Sequence, residues 1–322
     1  MTENDIATGY PNTWYAAAFS TELRRGKTLR THVAGRPVLL YRTADGQPRA
    51  VDPVCPHLGA DLGGGFVRGN DIVCPFHHFA FAPDGHCVRT GSGVRPPKAQ
   101  LASYPVRERN GFVHVWVHHT GAAPTWEVPE ADTSGYEGTH TWVLNYRAHP
   151  IDMIENAHDY THFAFVHDGT FAEPAGEPKA EGHMITQRLF LTDFWFRTEK
   201  NRVDSTLTFY GPNLVIGEIK IPAVNARVLA IGAHTPRKGR EVTGMTTTRA
   251  QVTLPKGTPA TLVRGVNRLL TTFAGYTSGR QIERDGPIWT DRTFLHHQRV
   301  TEGEQHIPLI RRWAQQFYSD PA

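Results

Sequence analysis

The chain has few cysteines, no long apolar run and little net charge. Its 322 residues include three cysteines, too few for a disulfide framework, and this scarcity predicts a reducing compartment. No run approaches the roughly 18 apolar residues that span a membrane, and the N-terminus lacks the basic and apolar regions of a secretory signal. The formal net charge is +3, and no long block of Lys or Arg favours binding to nucleic acid or acidic membranes. We therefore expect a cytoplasmic protein, long enough for two domains.

Two cysteine–histidine pairs lie close together in the first third of the chain. The pairs are Cys55 with His57 and Cys74 with His77. A Rieske [2Fe-2S] cluster takes two Cys on one iron and two His on the other. Zinc also accepts two Cys and two His, but the usual zinc finger groups its two Cys together and its two His together. Here each loop contributes one of each, which favours the Rieske cluster and leaves zinc as the alternative.

A second group of metal-binding residue types lies between His149 and Gly169. If this segment is one helix, Glu155, Asp159 and His162 share a face, because they are spaced i, i+4 and i+7. His167 comes five residues after His162, so ligation by both requires a π-type turn or a helix end between them. Taken alone, such a pair is more often a buried structural feature than a metal site.

The first part of the chain is predicted to be all-β. An Asp-Gly dipeptide at 45–46 and another at 84–85 each lie between short apolar runs and predict two hairpins. Residues 112–118 alternate as a half-buried strand does, which makes His114 and His118 strand residues.

A proline-containing connection at 121–132 separates the first part from the rest of the chain. We place the domain boundary there, with domains at 1–125 and 126–322.

The second part combines predicted strands with predicted helices. Residues 189–196, 206–209 and 244–248 are predicted to be strands of an antiparallel sheet. A helix is predicted to start at Thr258-Pro259, with Pro in its first turn. Its apolar face would contain Leu262, Val266, Leu269, Leu270 and Phe273. Residues 308–318 are predicted to form an amphipathic helix, and the whole part is predicted to be an α+β domain.

The segment from Cys55 to Val88 resembles the Rieske segment of oxygenases that act on large alicyclic substrates. This group contains the 3-ketosteroid 9α-hydroxylases and the cholesterol 7-desaturases. Such proteins usually have Gly-Trp after the second ligand His, whereas this chain has His78-Phe79. His78 could compete with His77 as a ligand. The Cys-x-x-His spacing of the family assigns His77, and we interpret His78 as a neighbour of the cluster or a surface residue.

The segment from Glu155 to His167 resembles the catalytic motif of Rieske non-haem iron oxygenases. The resemblance implies that His162 and His167 are the imidazole ligands of a 2-His-1-carboxylate iron(II) site. It also implies that Asp159 is not a ligand but links a ligand His to a cluster His of the neighbouring subunit. Asn156 would lie near the iron or the substrate, and His158 outside the ligands.

The third iron ligand must be a carboxylate from elsewhere, and Glu283, Asp285 and Asp291 are the candidates. In the family this ligand comes from a late helix. The stretch from Gln281 to Trp289 resembles the steroid-hydroxylase pattern in which an Asp precedes an Ile-Trp pair. That likeness assigns Asp285, with the other two as alternatives.

The resemblance implies the architecture and activity of the whole chain. An all-β Rieske domain would precede a helix-grip (START-like) catalytic domain with an antiparallel sheet. Each subunit of a homotrimer would hold one [2Fe-2S] cluster and one iron(II). A separate reductase, with or without a ferredoxin, would supply electrons. The enzyme would use O2 to hydroxylate an apolar, polycyclic, steroid-like substrate.

Other functions compatible with the same residues are a tailoring step in secondary metabolism by demethylation, desaturation or oxidative cyclisation, and an electron-transfer or binding protein without oxygenase activity.

Overall fold

The computed structural model describes residues 9–192, 201–301 and 304–318. They form two compact units. The first unit is Asn12–Pro129 with Pro236–Gly239, and the second contains Glu130–Thr235 and the described residues of Met1–Pro11 and Arg240–Ala322. The predicted boundary between residues 125 and 126 therefore lies inside the first unit.

The first unit consists of short antiparallel strands in three sheets. The strands are β1 (Thr13–Phe19), β2 (Thr28–Val33), β3 (Arg36–Arg42), β4 (Pro48–Val51), β5 (Phe66–Arg68), β6 (Asp71–Val73), β7 (Ala80–Phe81), β8 (Cys87–Arg89), β9 (Ser103–Tyr104), β10 (Val106–Arg109) and β11 (Phe112–Val117). The sheet orders are β1-β11-β10, β2-β3-β4-β9 and β5-β6-β7-β8. The two predicted hairpins are confirmed as β3–β4 and β7–β8.

The prediction that residues 112–118 form a half-buried strand is wrong. All residues of β11 are buried, including those on both of its faces, and its two edges pair with β1 and β10. His114 lies on it, and burial lowers the pKa of His114 to about 4. His118 lies just beyond the end of the strand at Val117.

The second unit contains an eight-stranded sheet, and its described residues include four α-helices. The strands are β12 (His140–Arg147), β13 (Phe171–Pro174), β14 (Lys179–Glu181), β15 (Met184–Thr192), β16 (Val203–Tyr210), β17 (Leu214–Ile221), β18 (Ala226–Pro236) and β19 (Glu241–Val252). The order is β12-β19-β18-β17-β16-β15-β13, and β14 pairs with β15. The helices are α1 (Asp152–His158), α2 (Phe163–Val166), α3 (Ala260–Asp291) and α4 (His306–Ala314).

The predicted strands at 206–209 and 244–248 are confirmed as parts of β16 and β19. Of the run 189–196, residues 189–192 end β15, and 193–196 lie outside the described residues. The predicted C-terminal helix is confirmed as α4 with a short 3-10 turn at Gln315–Phe317. Among the described helices, none is both long and apolar enough to cross a membrane.

The long helix α3 begins close to the predicted position but buries a different face. Pro259 is its N-cap rather than a residue of its first turn. Leu269 and Phe273 of the predicted apolar face are 73% and 64% exposed. The buried residues in this part are small or polar, as at Asn267 and Thr271. Of the predicted apolar face, Leu270 packs against a core cluster, but the face as a whole is not the one that α3 buries.

Close approach of α3 to the sheet explains this choice of face. A Cβ added at Gly275 would lie 2.3 Å from the His140 side chain, and one at Gly279 would lie 2.4 Å from the ring of Trp142. Large side chains do not fit between this helix and β12. Closer to the start of the helix, Thr271 Oγ1 accepts a hydrogen bond of 2.9 Å from the backbone N–H of Ala250 in β19.

We predict opposite effects of alanine at two glycines of α3. Gly279→Ala should destabilise the protein by about 1–3 kcal/mol, because the added methyl group overlaps Trp142. Gly265→Ala, which has open space around its Cβ, should stabilise it by about 0.5–1 kcal/mol through helix propensity. Thermal unfolding followed by circular dichroism checks both. Equal effects of the two substitutions would show that α3 does not pack this closely.

Candidate metal centres

Two loops of the same form carry the four predicted cluster ligands. The backbone N–H of Cys55 donates to the carbonyl of Ala60 at 2.8 Å, and the N–H of Cys74 donates to the carbonyl of Phe79 at 2.8 Å. Each bond closes a loop between a Cys and the residue five positions later. Each loop therefore holds one Cys and one His close together.

The residue four positions after each Cys has left-handed backbone geometry. Gly59 has a φ of 77° and His78 a φ of 51°. Each donates its N–H to the carbonyl of its own Cys, at 2.9 Å and 3.1 Å. His78 therefore occupies the place of a glycine, which is the residue that tolerates this geometry best. Its side chain is exposed.

The four predicted ligands divide into a buried pair and an exposed pair. Cys55 and Cys74 are 1% and 2% exposed. Burial raises the pKa of Cys55 to about 11, and the neighbouring Cys74 adds to this rise. His57 and His77 are exposed, with ring centroids 4.9 Å apart. Two adjacent thiols below two adjacent imidazoles fit a Rieske cluster, which has Cys on one iron and His on the other.

A second group of ligand types meets inside the second unit. The ligand atoms of His162, His167 and Asp285 all lie within 4.8 Å of one another. The two Nε2 atoms are 3.1 Å apart. Asp285 Oδ1 lies 3.4 Å from His167 Nε2 and 3.7 Å from His162 Nε2. Asp285 is 5% exposed, yet this oxygen makes no hydrogen bond.

The donor set fits iron(II). A buried carboxylate oxygen without a hydrogen-bond partner is costly, and a cation between it and the two imidazoles would remove that cost. Two His and one carboxylate are the ligands of non-haem iron(II) sites. The other two candidates do not join this group, because Glu283 pairs with Arg280 and Asp291 is exposed.

The segment from His149 to Gly169 is not one helix. Helix α1 ends at His158, and Asp159 leaves it with an extended ψ of 93°. Glu155 and His162 therefore do not share a helix face. His162 and His167 are the N-cap and C-cap of the short helix α2, and the backbone leaves helical geometry at His167, which is where the helix end needed for joint ligation lies.

Burial favours the neutral form of both imidazoles, and a hydrogen bond fixes the tautomer of His162. Burial lowers the pKa of His162, and it lowers the pKa of His167 to about 4. His162 Nδ1 donates to the backbone carbonyl of Asp159 at 2.5 Å. This hydrogen bond leaves Nε2 as the nitrogen with a free lone pair, which is the state that a metal ligand needs.

Asn156 and Asp159 lie beside the ligands. Asn156 Nδ2 donates to Asp285 Oδ2 at 3.2 Å and is 3.3 Å from His162 Nε2. Burial raises the pKa of Asp285 to about 7, and the hydrogen bond from Asn156 opposes this rise. The Asp159 carboxylate is 4.0 Å from His162 Nδ1, and the side chain is 33% exposed. It accepts hydrogen bonds from the backbone N–H groups of Thr161 and His162.

An apolar cavity of about 190 Å³ adjoins this group. Its lining residues are Phe163, His167, Thr170, Leu191, Val203 and Gln281. Gln281 also interacts with the His167 ring. This interaction raises the pKa of His167, but burial lowers it by more. Sequence reasoning did not single out Gln281, although it lies four residues before Asp285, one helical turn away.

Comparison with known proteins identifies the family. The sequence model described as "3-Ketosteroid 9alpha-hydroxylase C-terminal domain" matches residues 115–318, and that described as "Rieske [2Fe-2S] domain" matches residues 13–105. The chain belongs to the Rieske non-haem iron oxygenases. The predicted α+β fold and both predicted cofactors, the [2Fe-2S] cluster and the mononuclear iron, are thereby confirmed.

Relatives and solved structures cover almost the whole oxygenase chain. "Cholesterol 7-desaturase nvd" of Hemicentrotus pulcherrimus is 31% identical over 98% of this chain and 71% of its own length. The oxygenase component of 3-ketosteroid-9-alpha-monooxygenase from Mycobacterium tuberculosis is 25% identical over 98% of this chain and 84% of its own. NdmA of Pseudomonas putida CBB5 with caffeine has the same fold, with a TM-score of 0.73, 16% identity, and coverage of 94% and 90%.

We predict that His78→Gly retains the [2Fe-2S] cluster. Glycine should stabilise the loop by up to about 1 kcal/mol, because it removes the left-handed strain at this position. His77→Ala should lose the cluster. Visible absorption measures the cluster content of each variant. The temperature at which half of that absorption is lost measures the stability of the loop. Loss of the cluster in His78→Gly would instead make His78 a ligand.

We predict that Asp285→Ala loses about one iron per chain and keeps its acid-labile sulfide. The buried oxygen that faces both imidazoles is then gone. Glu283→Gln and Asp291→Asn serve as controls and should keep full iron content. If either control loses the iron and Asp285→Ala keeps it, the third ligand is misassigned.

Proposed function

We propose that this oxygenase component hydroxylates an apolar, polycyclic, steroid-like substrate with O2. The observation that carries this proposal is the His162, His167 and Asp285 group beside an apolar cavity. Electrons would come from a separate reductase in the reducing cytoplasm, directly or through a ferredoxin. The chain would relay them from its cluster to the mononuclear site.

Each residue of the mononuclear site has a separate task in this proposal. His162, His167 and Asp285 would hold iron(II), which would supply the chemistry of dioxygen activation. The Asp159 carbonyl fixes the His162 tautomer by accepting its Nδ1–H. Asn156 orients the Asp285 carboxylate by donating to Oδ2, so that Oδ1 stays directed at the two imidazoles.

The cavity supports an apolar substrate with an oxygen function. Phe163, Leu191 and Val203 give it apolar walls, whereas Thr170 and Gln281 are the polar side chains next to His167. Pockets of this composition bind apolar molecules and use their few polar groups for orientation. The similar proteins are named for 3-ketosteroids and for cholesterol, which are polycycles that carry oxygen at one end.

Desaturation is the second candidate reaction. Several similar proteins are named cholesterol 7-desaturase. Hydroxylation and desaturation begin from the same iron and dioxygen chemistry, and the position of the substrate selects between them. The cavity and the ligand group are compatible with both.

The proposed electron path runs between subunits of a homotrimer, a head-to-tail ring. Two apolar side chains beside the cluster histidines, Leu58 and Phe76, are 66% and 62% exposed. Clustered exposed apolar residues are typical of contact surfaces. We propose that the surface around Leu58 and Phe76 contacts the neighbouring subunit near Asp159. The partly exposed Asp159 carboxylate, which accepts from the backbone N–H of His162, would also accept a hydrogen bond from a cluster histidine.

A reconstituted reaction tests the proposed activity. Anaerobically purified protein would be supplied with a surrogate ferredoxin and reductase, isotopically labelled O2, and a panel of sterols and 3-ketosteroids. We expect one product that carries one labelled oxygen atom. A product with a new double bond and no label would support desaturation. Electron consumption without any altered steroid across the panel would contradict the proposed substrate class.

We predict that Asp159→Asn keeps both metals and lowers turnover by about a hundredfold or more, because the proposed bridge depends on the negative charge. Asparagine retains the oxygen that accepts from Thr161 and His162, so the local fold should survive. Glu173→Gln, an exposed carboxylate on β13, is the matched control. Iron analysis and steady-state turnover are the measurements, and normal turnover in Asp159→Asn would rule out the bridging role.

A further inference from the structure

We propose that a buried ion pair between Glu155 and Arg311 positions the mononuclear iron site. The pair would fix the rotation of helix α1, and so hold Asn156 against Asp285 and His162. The inference rests on the proposed iron(II) site and is independent of the identity of the substrate.

The ion pair is almost completely removed from solvent. The side chains of Arg311 and Glu155 are 6% and 2% exposed. Arg311 Nε donates to Glu155 Oε1, and Arg311 Nη2 lies 3.4 Å from Oε2. Arg292 contacts the same carboxylate from the segment after α3. The Arg311 guanidinium also lies over the ring of Phe294, 4.2 Å from its centroid.

A second buried carboxylate on α1 strengthens the need for these cations. Asp152 lies one turn before Glu155 and faces Arg292 Nη1 at 3.3 Å. It also accepts from the backbone N–H of His149 at 2.7 Å. Two carboxylates and two guanidiniums thus meet in this group, and Arg240 adds a further positive charge near Asp152. Removal of one member would leave an unpaired buried charge, which is strongly destabilising.

Helix α1 connects this group to the iron ligands. It is seven residues long, and its N-cap residue Ile151 makes no side-chain capping hydrogen bond. So short a helix is not stable by itself. Glu155 and Asn156 are consecutive, so a fixed direction for Glu155 also fixes the direction of Asn156, whose amide contacts Asp285 and His162.

The apolar contacts of α1 do not supply the same constraint. Ile151 and Ile154 pack in one cluster with Ile310 and Ala314 of α4. Apolar packing of this kind stabilises a helix with little directional preference, whereas an Arg–carboxylate pair imposes a defined geometry. We therefore assign stability to both contacts and the rotation of α1 to the ion pair.

A double-variant experiment separates positioning from stability. The proteins are Arg311→Met, Glu155→Gln and the double variant, which removes one charge of each sign and leaves Asp152 paired with Arg292. The matched control is Arg42→Met with Glu108→Gln, which removes a bidentate pair in the first unit. Each protein is measured for its unfolding midpoint, its cluster content and its iron(II) affinity in competition with a chromophoric chelator.

We expect each single variant to lower both the unfolding midpoint and the iron(II) affinity. The double variant should regain most of the unfolding midpoint but bind iron(II) at least about tenfold more weakly than the native chain. The control pair should leave iron(II) affinity unchanged. If the single variants do not fold, the iron(II) affinities of the double variant and of the control pair still test the positioning role.

Recovery of iron(II) affinity together with stability in the double variant would overturn the positioning role and leave the pair merely structural. If the native chain itself binds no iron(II) beyond its cluster, the proposed iron site fails, and this inference fails with it.

Discussion

A buried carboxylate oxygen that faces two neutral imidazoles and no hydrogen-bond donor is the constraint on which the second unit depends. Asp285 comes from a long helix, and His162 and His167 come from a segment far earlier in the chain. An ionised carboxylate buried in this way is costly without a cation beside it. The sheet, the close approach of α3 at its glycines and the ion pair on α1 all serve to bring these three side chains together.

In the first unit, two loops carry the four predicted cluster ligands. It buries two thiols and leaves two imidazoles at the surface. A cluster held by these four residues would have a buried side at the cysteines and an exposed side at the histidines. The left-handed residues Gly59 and His78 let each loop turn back on its cysteine, so the loop geometry is set by backbone bonds rather than by the metal alone.

Local sequence patterns predicted the ligand types and two hairpins, because ligand spacing and Asp-Gly turns act over a few residues. The packed face of α3 was not predictable in this way. Helical periodicity marks the large apolar residues, yet Leu269 and Phe273 are exposed, since only small side chains fit against the sheet. The partnership of Glu155 with Arg311 was also missed, because it joins residues 156 positions apart and no local pattern connects them.

The count of iron and acid-labile sulfide per chain, on anaerobically purified protein, decides whether one chain holds two separate iron centres. We predict about three iron atoms and two sulfides, with the electron paramagnetic resonance signal of a reduced Rieske cluster. About two iron atoms and two sulfides, unchanged after addition of iron(II), would mean that His162, His167 and Asp285 hold no iron. The chain would then be an electron carrier or a binding protein rather than an oxygenase.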